Sequence, residues 1–368
     1  MRLVKLEQCQ PGTQLGKSIY QDSGRVLLAQ GTYLTDSLLA RLKQLNIGAI
    51  YIQDELSEGI EITESIPSEL RVEAAHIITE GLDAIADLHK SASNIQGMMK
   101  TGRVIRSMQK VFKDILKCLT ENRAALDLLA TTKVHENHVY NHSLNVSIYA
   151  CQLAIENGLP IKNIEEIGLG AMLHDLGKMY VPKEILNKSG QLTEEEYEII
   201  KSHCEAGFDI LKKVHEIPLP VSHCALQHHE RIDGNGYPRR LKGDEIHKYA
   251  KIISVADVFD AVTSHRSYRK AMLPHKGMEV IYSGNGTQFE PKQVELFRSC
   301  IAIYPPGLTV KLNDGRTGIV TKYNFQSVGR PEIRIIKDEE NQEVTPYEIN
   351  LSLNKYLTVE ITEADALL

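Results

Sequence analysis

The sequence predicts a multidomain, mainly α-helical protein with a small α+β unit at the N-terminus and a small β-barrel-like domain at the C-terminus. The length, 368 residues, suggests two or three domains. Apolar residues recur at helical spacing through the middle of the chain, whereas alternating apolar and polar residues dominate after residue 307. The chain is 42% hydrophobic and 24% charged, which is an ordinary globular composition and argues against wholesale disorder.

Residues 1–60 are predicted to form the N-terminal α+β unit. Two short strand-like runs flank a turn signal at residues 22–24, Asp-Ser-Gly. Leucines at helical spacing predict a helix over residues 34–45, and a further strand follows it. A polar stretch that contains Pro67 is a suitable boundary for this unit.

Residues 66–131 are predicted to be a helical connector made of two helices, with a break near residues 101–103, Thr-Gly-Arg. A second interpretation is a helix pair that dimerises, because long amphipathic helices often associate. Such a connector is also compatible with a signalling-protein partner.

Residues 132–304 are predicted to be an all-helical domain, and residues 305–368 a small β domain. The sequence Asn313-Asp314-Gly315 between two alternating runs is a strong hairpin signal. Further alternating runs continue almost to the C-terminus, which favours a small barrel or sandwich.

The charge and the cysteines restrict the class of function. A net charge of −6 gives no support to binding of a nucleic-acid polymer. No apolar run is long enough to predict a membrane-spanning helix. The six cysteines are scattered singly and form no CxxC pair, which favours reduced thiols and a cytoplasmic location.

Histidine is concentrated in the helical domain, which points to a metal site. The adjacent pair His174-Asp175 follows an apolar helix, and Asp257 lies within another. Transfer of an unpaired polar group from water to apolar surroundings costs on the order of 2–7 kcal/mol. A buried carboxylate is therefore expected to be paired or to bind a metal. Taken alone, the pair could be a surface feature and Asp257 could have a basic partner.

Together these residues predict a centre for two or three divalent metal ions. Iron and manganese suit an imidazole and carboxylate donor set, and the absence of any required cysteine argues against structural zinc. Thr193 and Glu196 predict a capping box for the helix that carries His203. The predicted ligands are His142, His174, Asp175, His203, His228, His229 and Asp257.

Two further segments are candidates for nucleotide binding. Gly234, Gly236 and Pro238 define a loop that could carry Tyr237 and free amides to a nucleotide, although it could also be an ordinary tight turn. Residues 264–272 are basic and would bind phosphate if they lie near the metals; otherwise they form a solvated charged surface.

The motif order HS, HDLGK, H, HHE, DGNGYP, VAD and RSYRKA resembles the HD-GYP family of cyclic-di-GMP phosphodiesterases. The resemblance implies an all-helical HD-type phosphohydrolase domain over residues 132–304. It implies that Asp175 bridges two metal ions and that the seven residues above are their ligands. It also implies that Lys178, Arg266 and Arg269 contact phosphate, while Gly236 and Tyr237 line the guanine or ribose side.

From this resemblance we expect hydrolysis of cyclic-di-GMP to pGpG, GMP or both, by a hydroxide that bridges the metals at Asp175. Lys178 would offset the charge that develops on the phosphoryl oxygens. Asp260, one turn after Asp257, is expected to orient substrate or a ligand histidine, or else to be an exposed helix charge.

The sequence departs from the family pattern at two positions. His138 stands where some members have a glutamate ligand for a third metal. It lies four residues before His142, so both side chains can share one face of a helix, and His138 could either bind a metal ion or have no role in the site. Ser267 replaces the proline of the usual RPYR. Two alternative functions stay open: a receptor that binds cyclic-di-GMP without turnover, and a hydrolase of another cyclic dinucleotide or nucleotide.

Overall fold

The computed structural model describes most of the chain. The residues described are 1–21, 25–45, 47–62, 65–90, 95–121, 138–186, 188, 190–264, 272, 274–324 and 327–364. For residues 88–90, 95–100 and 138–140 the description covers the backbone alone. No helix in these ranges has the length and apolar character needed to cross a membrane.

The N-terminal unit is a small antiparallel sheet with one helix. Its elements are β1 (Arg2–Lys5), β2 (Gln14–Leu15), β3 (Ile19–Tyr20), β4 (Val26–Leu28), α1 (Asp36–Gln44) and β5 (Ala49–Gln53). Strand β5 lies between β1 and β2, and β3 pairs with β4 as a separate ribbon. Thr35 caps α1 by accepting a hydrogen bond from the Leu38 amide at 3.3 Å.

Two long helices follow, α2 (Ser68–Lys90) and α3 (Ile95–Glu121). The predicted break near residues 101–103 is wrong, because these residues lie inside α3. A Cβ at position 102 would collide with the carboxylate of Glu216, which explains why a glycine stands inside this helix.

The helical domain consists of nine further helices among the described residues. They are α4 (His138–Glu156), α5 (Ile161–Leu173), α6 (Lys183–Leu186), α7 (Glu194–Lys201), α8 (His203–Leu211), α9 (Leu219–Gln227), α10 (Lys248–Thr263), α11 (Pro274–Ser283) and α12 (Pro291–Cys300). The apolar faces of α2 and α3 share one hydrophobic core with them. The α2–α3 pair therefore packs against the helical domain as part of the same core.

The predicted capping box of Thr193 and Glu196 is present at the start of α7. The helix does not continue unbroken through His203, because α7 ends at Lys201 and α8 begins at His203, with Ser202 between them. Ile199 is 40% exposed, so it does not lie on the buried face that carries His203.

The C-terminal domain is a five-stranded antiparallel sheet in the order β10-β6-β7-β8-β9. Its strands are β6 (Thr309–Leu312), β7 (Thr317–Lys322), β8 (Glu332–Lys337), β9 (Glu343–Asn350) and β10 (Ile361–Ala364). The predicted hairpin at residues 313–315 joins β6 to β7, and Gly315 has the positive φ (94°) that this turn requires.

The two ends of the chain form one body. The Leu3 amide donates a hydrogen bond to the Gly307 carbonyl at 2.9 Å. The Arg334 guanidinium donates to the carbonyls of Leu56 and Glu58, at 3.3 and 2.6 Å. Apolar residues of β1 and β5 lie in the same core as those of β6, β7, β8 and β9. The N-terminal unit and the C-terminal sheet are therefore joined by both hydrogen bonds and a common apolar interior.

The packing of α3 on α5 gives a test of this arrangement. The Phe112 ring occupies the space where a Cβ of Gly168 would stand, so Gly168→Ala must displace a buried ring. We expect this substitution to lower the free energy of unfolding by about 1–3 kcal/mol, measured by urea denaturation. Gly329→Ala is the matched control, because no heavy atom lies within 4 Å of its added Cβ. Equal stability of the two variants would contradict the packing of α3 on α5.

Candidate metal centre

Five helices bring the predicted ligands to one buried point. His142 lies in the second turn of α4, and Asp257 lies in α10. The other histidines stand at helix ends: His174 and His228 directly follow α5 and α9, and His203 is the first residue of α8. All five of these side chains are at least 90% buried.

Asp175 is at the middle of the group. Its Oδ2 lies 3.7 Å from His142 Nε2 and 3.4 Å from His174 Nε2. Its Oδ1 lies 3.5 Å from His203 Nε2 and 3.6 Å from His228 Nε2. One carboxylate thus faces two pairs of imidazoles with its two oxygens, which is the arrangement of a ligand that can serve two cations.

Asp257 and His229 complete the group. Asp257 Oδ1 lies 3.1 Å from His142 Nε2 and 3.8 Å from His174 Nε2. Asp257 Oδ2 lies 4.0 Å from His229 Nδ1. His229 is the most accessible member, with 23% of its side chain exposed.

Backbone carbonyls fix the orientation of three imidazoles. The Nδ1 of His174 donates to the Ala171 carbonyl at 2.7 Å, and that of His203 donates to the Ile200 carbonyl at 2.6 Å. His228 Nδ1 contacts the carbonyls of Cys224 and Ala225 at 3.1 and 3.0 Å. Because Nδ1 carries the proton in each case, the unprotonated Nε2 lone pair is directed at the cluster.

His142 is oriented by a carboxylate instead. Its Nδ1 donates to Asp260 Oδ2 at 2.7 Å. The other oxygen of Asp260 accepts hydrogen bonds from Asn145 Nδ2 and Ser264 Oγ, each at 2.9 Å. Asp260 is 1% exposed, so it is not the exposed helix charge that was the alternative interpretation.

The donor atoms fit a metal centre. His174 Nε2 and Asp175 Oδ1 are buried and have no hydrogen-bond partner among the described residues. Buried polar atoms without partners are costly and rare in folded proteins. Cations between these atoms would satisfy them, and imidazole with carboxylate is a suitable donor set for iron, manganese or zinc.

The protonation of the histidines agrees with this fit. Burial lowers the pKa of His174 to about 4 and that of His203 to about 3, so both are neutral at physiological pH, as a ligand must be. Burial also opposes a charge on His142, but its contacts with Asp257 and Asp260 outweigh this and raise its pKa to about 9. A cation at His142 Nε2 would take the place of that proton.

A short 3-10 turn carries Lys178 next to the cluster. Lys178 Nζ lies 2.5 Å from Asp175 Oδ2, and its side chain is 21% exposed. Gly177 allows this turn, because a Cβ there would collide with the backbone carbonyl of His203. The turn therefore packs directly on the start of α8, with the lysine at the solvent side of the carboxylate.

The glycine-rich loop lies over His229. The Tyr237 ring stands 4.7 Å from the His229 ring, measured between centroids, and 6.2 Å from that of Tyr197. Gly236 allows this approach, since a Cβ there would collide with backbone of residues 229–231. A polar cleft of about 580 Å³ opens beside the tyrosines, and Lys201 and Arg240 line it.

Three predicted residues lie partly or wholly outside the described part of the chain. Arg266 and Arg269 fall in residues 265–271, which are not described. His138 begins α4, but its side chain is not described. Their proposed contacts with phosphate and with a third metal stay predictions.

Sequence reasoning missed several contributors. Asn145 and Ser264 hold Asp260, yet neither belongs to a recognisable motif. Glu230 accepts hydrogen bonds from the amides of Arg239 and Leu241, at 2.7 and 3.0 Å, and so closes the loop behind Tyr237. Cys204 also lies at the cluster, and its position beside His203 was the available signal.

Comparison with known proteins identifies the two main parts of the chain. Residues 125–292 match the model of the HD domain family, and residues 309–366 match that of a KOW domain associated with the HD domain. The chain is 29% identical to a cyclic di-GMP phosphodiesterase of Pseudomonas aeruginosa, over 87% of this chain and 81% of that protein.

A cyclic di-GMP phosphodiesterase of Thermotoga maritima is 37% identical over 52% of each protein. Residues 125–292 are an HD domain, and the motifs and these relatives support its assignment to the HD-GYP family. A further relative is named a 3'3'-cGAMP-specific phosphodiesterase of Vibrio cholerae, and it is 35% identical over 48% of this chain and 34% of its own length. The resemblance that the motifs indicate is thereby confirmed, and residues 172–178 and 228–238 form the HD and GYP segments of this HD-GYP domain.

The role of Asp260 in this HD-GYP centre can be tested by metal binding. Asp260→Asn keeps the size of the side chain but weakens its hydrogen bond to His142 Nδ1. We expect the affinity for Mn(II) or Zn(II) to fall by about 10–100-fold, as is typical for residues that orient metal ligands. Competition with a chromophoric chelator measures this. Asp209→Asn, at an exposed aspartate of α8, should leave the affinity unchanged; an equal loss in both variants would exclude a specific role.

Proposed function

We propose that this chain hydrolyses cyclic-di-GMP at a centre of two divalent metal ions. The observation that carries the proposal is the position of the Asp175 carboxylate, whose two oxygens face separate pairs of imidazoles at 3.4–3.7 Å. The names of the relatives from Pseudomonas aeruginosa and Thermotoga maritima support cyclic-di-GMP as the substrate.

His142, His174 and Asp257 would hold one ion, and His203, His228 and His229 would hold the other, with Asp175 shared between them. Two ions in such a site activate water as a nucleophile and neutralise charge on the phosphate oxygens. Iron and manganese are the proposed metals. A third ion, bound with the help of His138, stays a prediction.

The residues around the centre would bind and orient the diester. Lys178 is a charged group beside the bridging carboxylate, and its exposure leaves its ammonium within reach of a phosphate that approaches from solvent. In the proposal it offsets negative charge that develops on the phosphoryl oxygens. Arg266 and Arg269 are proposed to do the same from the basic segment after α10.

The glycine-rich loop would bind the nucleoside part of the substrate. Tyr237 presents an aromatic ring between His229 and the polar cleft, and stacking on such a ring is a usual way to hold a base. The close packing of Gly236 on the backbone of residues 229–231 supports a fixed position for this ring. We therefore assign Gly236 and Tyr237 to the guanine or ribose side of the substrate. The proposed products are linear pGpG and then GMP.

A second candidate substrate is another cyclic dinucleotide, 3'3'-cGAMP. The name of the Vibrio cholerae relative favours it, since that protein is about as similar as the Thermotoga maritima enzyme in the region they share. The cleft beside Tyr237 contains Lys201, Glu198 and Arg240, which offer both donors and acceptors to the edge of a purine.

Three further properties belong to the proposal. A homodimer through residues 66–131 would have to use the exposed side of α2 and α3, because their apolar faces are already buried in the helical core. The signalling-protein partner has no assigned surface. The cytoplasmic location is supported by the six cysteines, all of which are free thiols.

The first test measures turnover by protein purified without oxygen and supplied with Mn(II) or Fe(II). Cyclic-di-GMP should be converted to pGpG or GMP, and chromatography would identify the product. Asp175→Ala should reduce the rate by at least about a thousandfold, because it removes the carboxylate shared by both ions.

Two other results would change the assignment. Faster conversion of 3'3'-cGAMP than of cyclic-di-GMP would establish the second candidate. Tight binding of cyclic-di-GMP without conversion, at two bound metal ions per chain, would establish a receptor and overturn the proposed activity. Full activity of Asp175→Ala would contradict the metal mechanism altogether.

The role of Lys178 gives a separate prediction. Lys178→Met removes the charge but keeps most of the length, so kcat should fall by about 10²–10³-fold while the metal content stays the same. Lys212→Met, at a half-exposed lysine directly after α8, is the control and should have normal kcat. A Lys178 variant that loses metal instead of rate would show that the lysine stabilises Asp175 rather than the reaction.

A further inference from the structure

A buried thiol lies inside the metal centre. Cys204, the second residue of α8, is completely buried. Its Sγ forms one group with donor atoms of His203, His228 and His229, and every pair of these atoms lies within 4.8 Å. The family resemblance gives this cysteine no role, and neither does the function proposed above.

The distances are those of ligands around one ion. Ligands at about 2.0–2.3 Å from a tetrahedral metal stand about 3.3–3.8 Å from each other. His203 Nε2 lies 3.3 Å from His228 Nε2, and Cys204 Sγ lies 3.5 Å from His203 Nε2. Asp175 Oδ1 lies 3.5 and 3.6 Å from the same two nitrogens and has no hydrogen-bond partner.

The hydrogen bonding of Cys204 leads to the same conclusion. Among the described residues, the partner of its thiol is His203 Nε2. His203 Nδ1 donates its proton to the Ile200 carbonyl, so Nε2 has a single lone pair, which either accepts from the thiol or binds a metal. When a cation binds Nε2, the buried thiol loses this acceptor and is left beside the cation.

We infer that Cys204 is a thiolate ligand of the metal ion held by His203, His228 and His229, the ion that shares Asp175 with the other. The inference rests on the proposed metal centre and assigns a sulfur ligand to one of its two ions. Burial raises the pKa of the Cys204 thiol, with a smaller contribution from Asp175, so the free protein holds it protonated. Coordination replaces the S–H bond by a metal–sulfur bond and releases the proton to solvent.

The sulfur ligand has a consequence for metal choice. Thiolate prefers zinc and iron, whereas manganese prefers oxygen ligands. The ion on the Cys204 side should therefore be zinc or Fe(II), and the ion near His142 and Asp257 should accept manganese more readily. The two positions of the centre would differ in metal preference, although they share Asp175.

The experiment uses Co(II) added without oxygen to the metal-free protein. A thiolate ligand gives a charge-transfer band in the near ultraviolet, separate from the visible d–d bands of Co(II). We expect this band in the wild type and in Cys300→Ser, and we expect it to be absent in Cys204→Ser. Cys300 is a matched control, because it is fully buried and its thiol donates to the Leu296 carbonyl.

Affinity gives a second readout. Cys204→Ser should bind Zn(II) at least about tenfold more weakly than the wild type in competition with a chelator, while Mn(II) affinity changes less. If Cys204→Ser does not fold, X-ray absorption of the zinc-loaded wild type decides, since the inference requires one sulfur at about 2.3 Å.

The outcomes separate this inference from the proposed function. Visible d–d bands without a charge-transfer band, or no sulfur in the X-ray absorption, would overturn the role of Cys204 and leave the metal centre intact. A band that persists in Cys204→Ser would also overturn it. Failure of the wild type to bind any Co(II) or Zn(II) would instead contradict the metal centre itself.

Discussion

The buried carboxylate of Asp175 is the constraint on which the active centre depends. An ionised carboxylate away from water costs several kcal/mol unless charges and hydrogen bonds compensate it. Burial raises the pKa of Asp175, but His174, Lys178 and the other imidazoles outweigh this and hold the pKa well below its usual range. The helices must therefore supply these partners from several directions at once, which explains why the ligands come from α4, α5, α8, α9 and α10 rather than from one motif.

Helix ends determine where the imidazoles point. His174 and His228 directly follow helices, and the Nδ1–H of each donates a hydrogen bond to a carbonyl in the last turn of its helix. The carbonyls at a helix C-terminus have no partner within the helix, so one interaction satisfies the backbone and orients a ligand. Gly177 then lets the next turn pack against His203, which brings Lys178 to the same carboxylate. The metal-binding geometry is thus a product of ordinary helix termination.

The sequence predicts the class of fold and most of the side chains that meet around Asp175, because each of them lies in a short motif with an apolar helix beside it. It does not predict contacts that depend on distant packing. The break placed near residues 101–103 is wrong, since local composition does not show that Gly102 faces Glu216 in an uninterrupted α3. Asn145 and Ser264 were missed for the same reason. The sequence does not single out Cys204, because it forms no CxxC pair and only its position beside His203 distinguishes it.

Helix α2 connects the two ends of the chain to the surroundings of the metal centre. The terminal sheets form one body through Leu3 and Gly307, and the chain leaves the N-terminal unit to enter α2. Helix α2 contacts the turn that carries Lys178, because the Tyr180 hydroxyl donates to the Ala86 carbonyl at 3.2 Å. Helix α2 therefore fixes the position of Tyr180, which packs against the helical core two residues from Lys178. The predicted connector is therefore in contact with the turn that carries Lys178, next to the metal centre.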